Sequence, residues 1–81
     1  MRVMNLELPN GYRTRSDRIR HVRVHPERSC SFDCVYMEIY EDDQLAYEGL
    51  VDLDRVAVTD GGREMALRSV FSEGFLPTPL P

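Results

Sequence analysis

Between Cys34 and Val51 the chain alternates so regularly that one local structure fits it. Val35, Met37 and Ile39 fall on one side, and Cys34, Tyr36, Glu38 and Tyr40 on the other. This period of two belongs to a half-buried β-strand. Asp42-Asp43 makes a turn, and Leu45 to Val51 returns with Leu45, Tyr47 and Gly49 in alternation. The segment predicts a β-hairpin with an acidic tip, Glu41-Asp42-Asp43, and Gly49 is expected to mark a bulge.

Other elements come from the same logic. In residues 18–25, Val22 and Val24 alternate with His21, Arg23 and His25, and Pro26 ends the run. Residues 27–33 form a polar loop in which Phe32 is the candidate for burial. Residues 55–59 make another short strand, with Val56 and Val58 toward the core. Asp60-Gly61-Gly62 interrupts it.

Residues 63–71 have two readings. Asp-Gly is a good hairpin turn, which makes 63–71 a strand. The favoured reading is a helix, because Arg63 to Arg68 are strong helix formers. Ala66 with Val70 and Leu67 with Phe71 build an apolar face at i, i+4. Asp60 is the expected N-cap. Gly74 suits the left-handed position past the helix end, with Phe75 packing back on Val70.

The ends read as extended chain. Residues 1–17 are an N-terminal arm with a turn at Leu8-Pro9-Asn10-Gly11, and Tyr12 to Asp17 are expected to be exposed. Residues 76–81 are a Pro-rich tail.

These elements predict a single α+β domain over residues 1–81. Its core is a small antiparallel sheet of about four strands with one C-terminal helix. If 63–71 is a strand, the alternative is an all-β, five-stranded barrel of SH3 or Sm-like type.

The order hairpin, short strand, helix over 35–73 has Glu41-Asp42-Asp43 before Ala46-Tyr47, and Ala66-Leu67 on the helix. In these residues it loosely resembles the small βββα antitoxin domains of the HicB kind, without their Pro-Asp-Leu-Pro-Gly element. Read as a barrel, 18–71 is similar to Sm-like and Rho-inhibitor-like domains. The first resemblance implies an antitoxin-like regulator.

Composition narrows the function. At 81 residues there is no room for a second domain or a large enzyme fold. With 42% hydrophobic and 30% charged residues the chain is neither disordered stock nor a membrane segment. The apolar N-terminal stretch of a secretory signal is missing, so the expected setting is the cytoplasm.

Residues 1–30 hold seven Arg against three acids, and residues 31–81 hold three Arg against eleven acids. The two halves are expected to fold against each other. The net charge of −4 does not suit a general nucleic-acid binder. All ten basic residues are Arg, as codon bias in a GC-rich genome would produce.

Four groups of residues carry candidate chemistry. Tyr36, Tyr40 and Tyr47, with Asp42 and Asp43 at the tip, form a candidate surface for a protein partner, since Tyr covers a large area at low entropy cost. Arg13, Arg15, Arg18, Arg20 and Arg23 form an alternative nucleic-acid face, or equally solvate an edge strand and pair with the acidic half. His21, His25, Cys30 and Cys34 have the ligand set of a structural zinc site, although His21 and His25 would lie about 13 Å apart on a strand. They also read as two surface histidines and two small thiols. Asp and Glu near the tip match no calcium loop.

No nucleophile motif or phosphate-cradling glycine loop is present. The expectation is a non-enzymatic regulatory binding protein without a cofactor, inhibitor- or antitoxin-like and of bacterial, phage or plasmid origin. Its partner is expected to be a protein, with no membrane and with a homodimer as a further arrangement. The alternatives are a small RNA- or DNA-binding barrel and a zinc-stabilised adaptor.

Overall fold

The computed structural model describes residues 3–31 and 33–80, so the expectation for Phe32 lies outside the described residues. The N-terminal segment forms a hairpin of β1 (Asn5–Glu7) and β2 (Arg13–Arg15), with Leu6 opposite Thr14. The turn chemistry is as expected: Pro9 enters the turn, and Asn10 and Gly11 adopt φ of 67° and 77°. Leu8 N–H donates to the Tyr12 carbonyl at 2.8 Å, closing the loop.

This segment is extended but is not a free arm. Met4, Leu6 and Leu8 alternate along it and are all buried, and each such side chain contributes about 1.5–3 kcal/mol by leaving water. Thr14 and Ser16 are buried too, against the expectation that 12–17 is exposed. Ser16 locks the hairpin end: its hydroxyl accepts from Met4 N–H at 2.9 Å, and its own N–H donates to the Met4 carbonyl at 2.8 Å.

Strands β3 (Ile19–His25), β4 (Cys34–Glu41) and β5 (Gln44–Asp52) form an antiparallel sheet in the order β3-β4-β5. The expected hairpin is β4–β5, turning at Asp42-Asp43 with Asp42 at φ 56°. Strands β6 (Ala57–Asp60) and β7 (Arg63–Ala66) complete a second sheet, in the order β2-β1-β6-β7.

Residues 63–72 divide between the two sequence readings. Gly61 and Gly62, at φ 58° and 91°, make a two-residue turn that puts Asp60 opposite Arg63, so 63–66 pairs with β6 despite its helix-forming residues. Pairing in the sheet overrides local propensity there. Helix α1 (Leu67–Ser72) then begins without a side-chain cap. Asp60 does not cap it. Instead, Leu67 N–H and Arg68 N–H donate to the Val56 and Leu53 carbonyls at 3.1 and 3.0 Å, which satisfies two of the orphan donors of the first turn.

The helix stop is as the sequence predicts. Gly74 has φ 78°. Its N–H donates to the Phe71 carbonyl, and Phe75 N–H to the Val70 carbonyl, both at 3.1 Å, the two bonds of a Schellman motif.

The inner faces of both sheets enclose one core. Leu6 and Val58 come from one sheet, Val22, Met37 and Ile39 from the other, and Leu67 and Val70 from the helix. The architecture is the expected α+β, antiparallel sheet with a C-terminal helix; among the described residues the strands number seven, divided into sheets of four and three, and no closed barrel forms. The tail is extended but docked. Leu76 is buried, and Leu80 bridges to Arg23 in parallel. Val24 N–H donates to the Leu80 carbonyl at 2.7 Å, and Leu80 N–H to the Val22 carbonyl at 2.9 Å. Among the described residues no helix is long and apolar enough to cross a membrane.

Candidate functional site

The outer face of β3-β4-β5 is the side turned away from the core. Alternation places His21, Arg23 and His25 of β3 beside Tyr40, Glu38 and Tyr36 of β4, and the register pairs them in that order. His21 stacks on Tyr40 with ring centroids 4.2 Å apart and planes 14° apart. His25 meets Tyr36 edge-on at 5.9 Å. From the turn after β3, Arg28 places its guanidinium 3.7 Å from the centre of the Tyr36 ring, a cation–π contact.

That turn is held rigidly. Ser29 Oγ donates to the His25 carbonyl and accepts from Tyr36 N–H, both at 2.9 Å.

Glu38 sits at the centre of the face. His25 Nε2 stands 3.2 Å from its carboxylate, and the Tyr40 hydroxyl donates to it at 3.1 Å. The His25 contact, aided by Tyr40, holds the Glu38 carboxyl below its ordinary range against the opposing effect of desolvation. The same bond, with desolvation, pushes the Tyr40 phenol up. Tyr36 is raised by desolvation and by its 3.0 Å bond to Glu48. These hydrogen bonds orient both phenols, as polar tips on apolar rings.

Tyr47 does not join this surface. The register runs Ile39 to Tyr47 and then Tyr40 to Leu45, so Ala46 is an extra residue that turns Leu45 and Tyr47 to opposite faces. Tyr47 points into the core, 8% exposed, and stacks on Tyr12 at 5.2 Å. Gly49 marks the space beneath it rather than the bulge: a Cβ there would lie 3.2 Å from the Tyr47 hydroxyl. The residues that do join the face are Leu45 and Leu50, exposed by 45% and 42%. Gly49 hints at the Tyr47 placement, but no sequence signal reveals the extra residue.

Asp42 and Asp43 stand exposed at the hairpin tip, with Asp42 3.5 Å from Arg20.

The arginines do not share one surface. Arg13 and Arg15 project from β2 on the outside of the four-stranded sheet, within 3.5 Å of Glu7 and 3.2 Å of Asp17 respectively. Arg20 lies at a bulge of β3, Arg18 in the turn before it, and Arg23 on the outer face beside Glu38. The outside of the four-stranded sheet holds a shallow groove of about 900 Å³ lined by Asn5, Glu7, Arg13, Arg55, Thr59 and Glu64.

Cys30 and Cys34 are free thiols, joined through Cys30 N–H to the Cys34 carbonyl at 2.9 Å. Desolvation and the adjoining Cys30 thiol push the Cys34 thiol up. His21 and His25 sit on separate tyrosines, and among the described residues no three His, Cys, Asp or Glu side chains converge as metal ligands would.

No protein-family model, curated protein or solved structure matches the chain.

Proposed function

We propose that this chain is a small non-enzymatic binding module that works by laying the outer face of β3-β4-β5 on a protein partner, as an inhibitor or antitoxin-like regulator. The observation that carries this reading is the pre-set pair of tyrosines. Tyr40 is fixed by the His21 stack at 4.2 Å and Tyr36 by Arg28 at 3.7 Å, beside the exposed Leu45 and Leu50. Aromatic anchors already held in place lose little side-chain freedom on binding, which favours affinity.

The acidic tip Asp42-Asp43 and Glu48 make a basic partner surface the complementary one. In this reading the protein works in the cytoplasm, where both thiols stay reduced. The nucleic-acid reading has less support, because Arg13, Arg15 and Arg20 are spread over different surfaces and stand beside carboxylates.

The test is affinity capture from the source cell with and without nuclease, using the wild type and the Tyr36→Ala/Tyr40→Ala double variant. The expected result is a stoichiometric protein retained by the wild type and lost with the variant. Hot-spot residues lose about 2 kcal/mol or more on truncation, roughly thirtyfold in affinity. Recovery of RNA or DNA that depends on Arg20 and Arg23 and weakens steeply with salt would replace the proposal.

A further inference from the structure

The two edges of the three-stranded sheet are treated differently. The β3 edge is occupied by the chain's own tail, through the two backbone bonds between Leu80 and residues 22 and 24. On the other side, β5 is nine residues long and, among the described residues, pairs with β4 alone. The edges of the second sheet are short by comparison: β2 has three residues, and β7 has four and runs directly into α1. An open edge of that length presents alternate N–H and C=O groups to any extended chain that can reach them.

We propose that the free edge of β5 is a strand-addition site for an extended, basic segment of a partner protein. The usual protections of an edge are slight here. β5 contains neither Lys nor Pro, and its bulge at Ala46 lies near one end, leaving regular pairing from Tyr47 to Asp52.

The occupant's chemistry is set by Glu48. It lies directly opposite Glu38 on the neighbouring strand, a like-charge arrangement that weakens a ladder. Glu38 has His25 beside it, whereas Glu48 is met by the neutral Tyr36 hydroxyl, and among the described residues no ion pair takes Glu48. A Lys or Arg on an added strand would supply the missing cation. Its aliphatic stem would also cover Leu45 or Leu50. On the inner face, apolar residues of the same strand would continue the row begun by Tyr47 and Val51. The fitting segment therefore alternates basic and apolar side chains. A second copy of this chain fits less well, because it brings Glu48 and the acidic tip of one molecule to those of another.

This inference rests on the reading of the protein as a protein-binding module, and it is tested separately. The probe is a synthetic peptide alternating valine and lysine, matched to the nine residues of β5. The readout is amide exchange by NMR on the intact chain. The expected result is slowed exchange at alternate amides of β5, while β3 is unaffected. Glu48→Gln should weaken the peptide roughly two- to fivefold. A peptide N-methylated along its pairing edge should bind roughly tenfold more weakly or worse, since its backbone donors are gone.

Equal binding of a valine–glutamate peptide, or protection confined to residues outside β5, would overturn the proposal. So would β5 protection that rises with protein concentration in the absence of peptide, which would assign the edge to a second copy. If the Tyr36→Ala/Tyr40→Ala variant loses its partner while the peptide leaves β5 unprotected, the edge proposal alone falls. If the peptide protects β5 while that variant keeps its partner, the face reading falls and the edge stands.

Discussion

The Tyr12 hydroxyl donates a hydrogen bond to the Glu41 carboxylate, tying the first hairpin to the end of β4 in the other sheet. The Tyr12 ring lies on Tyr47 from the same sheet. Desolvation and the Glu41 carboxylate together push the Tyr12 phenol up to about 12. The two sheets are thus joined at this end by one polar bond and one aromatic stack. The tyrosine face, on the opposite side of β4, depends on that strand being held still.

Tyr12→Phe should therefore destabilise the fold by about 1.5–3 kcal/mol, the range for a hydrogen bond to a charged group, while Tyr12→Ala should cost more by losing the stack. Urea denaturation checks both. A phenol whose pKa is raised on folding stabilises the protein below the unfolded value of about 10. That contribution is lost as pH rises toward about 12. Alkaline titration of tyrosinate absorbance should show the highest step missing from Tyr12→Phe.

Arg68 ties the start of α1 to two loops. Its Nε and Nη2 donate to Asp54 at 2.9 and 3.2 Å, and Nη2 also to Asp33 at 2.6 Å. The Arg68 guanidinium holds the Asp54 carboxyl below its ordinary value. A depressed carboxyl stabilises the fold above its unfolded pKa of about 4, and the effect disappears as pH falls through the folded value. Arg68→Ala should lower the urea midpoint at pH 7 and lower it by less at pH 3. An equal loss at both pH values would mean that packing of the stem matters, not the ion pair.

Gly74 holds a left-handed conformation, φ 78°, at the end of α1. A Cβ there meets nothing within 4 Å, so any cost of Gly74→Ala is backbone strain rather than crowding. The expected loss is about 1 kcal/mol, a fall of roughly 4–8 °C in Tm for a domain of this size. Calorimetry of the single variant measures it.

Deleting residues 78–81 should open the β3 edge. The Val24 amide, which donates to the Leu80 carbonyl at 2.7 Å, should then exchange with solvent much faster, and self-association should increase because an unpaired edge is a pairing template. Exchange by NMR reads the first effect and sedimentation the second. Unchanged protection at Val24 would show that the tail does not shield this edge in solution.

Local rules made part of the molecule legible. The period of two fixed β4 and its outward row of Tyr36, Glu38 and Tyr40, and it put His21 and His25 on one side of β3. Turn chemistry located the reversal at Pro9-Asn10-Gly11 and the helix end at Gly74. The alternation of Met4, Leu6 and Leu8, which reads as a buried strand, was also present in the sequence. Such signals act within a few residues, where sterics and side-chain direction decide.

Tertiary structure decided the rest. The extra residue at Ala46 carries no local mark, yet it sends Tyr47 inward and Leu45 outward, because a one-residue slip reverses every side chain beyond it. Residues 63–66 gave up their helical preference to pair with β6. The tail's place on β3 and the Tyr12–Glu41 bond join residues far apart in the chain. Only packing of the two sheets brings such pairs together, and a partner's access to the tyrosine face and to the β5 edge is set by that packing.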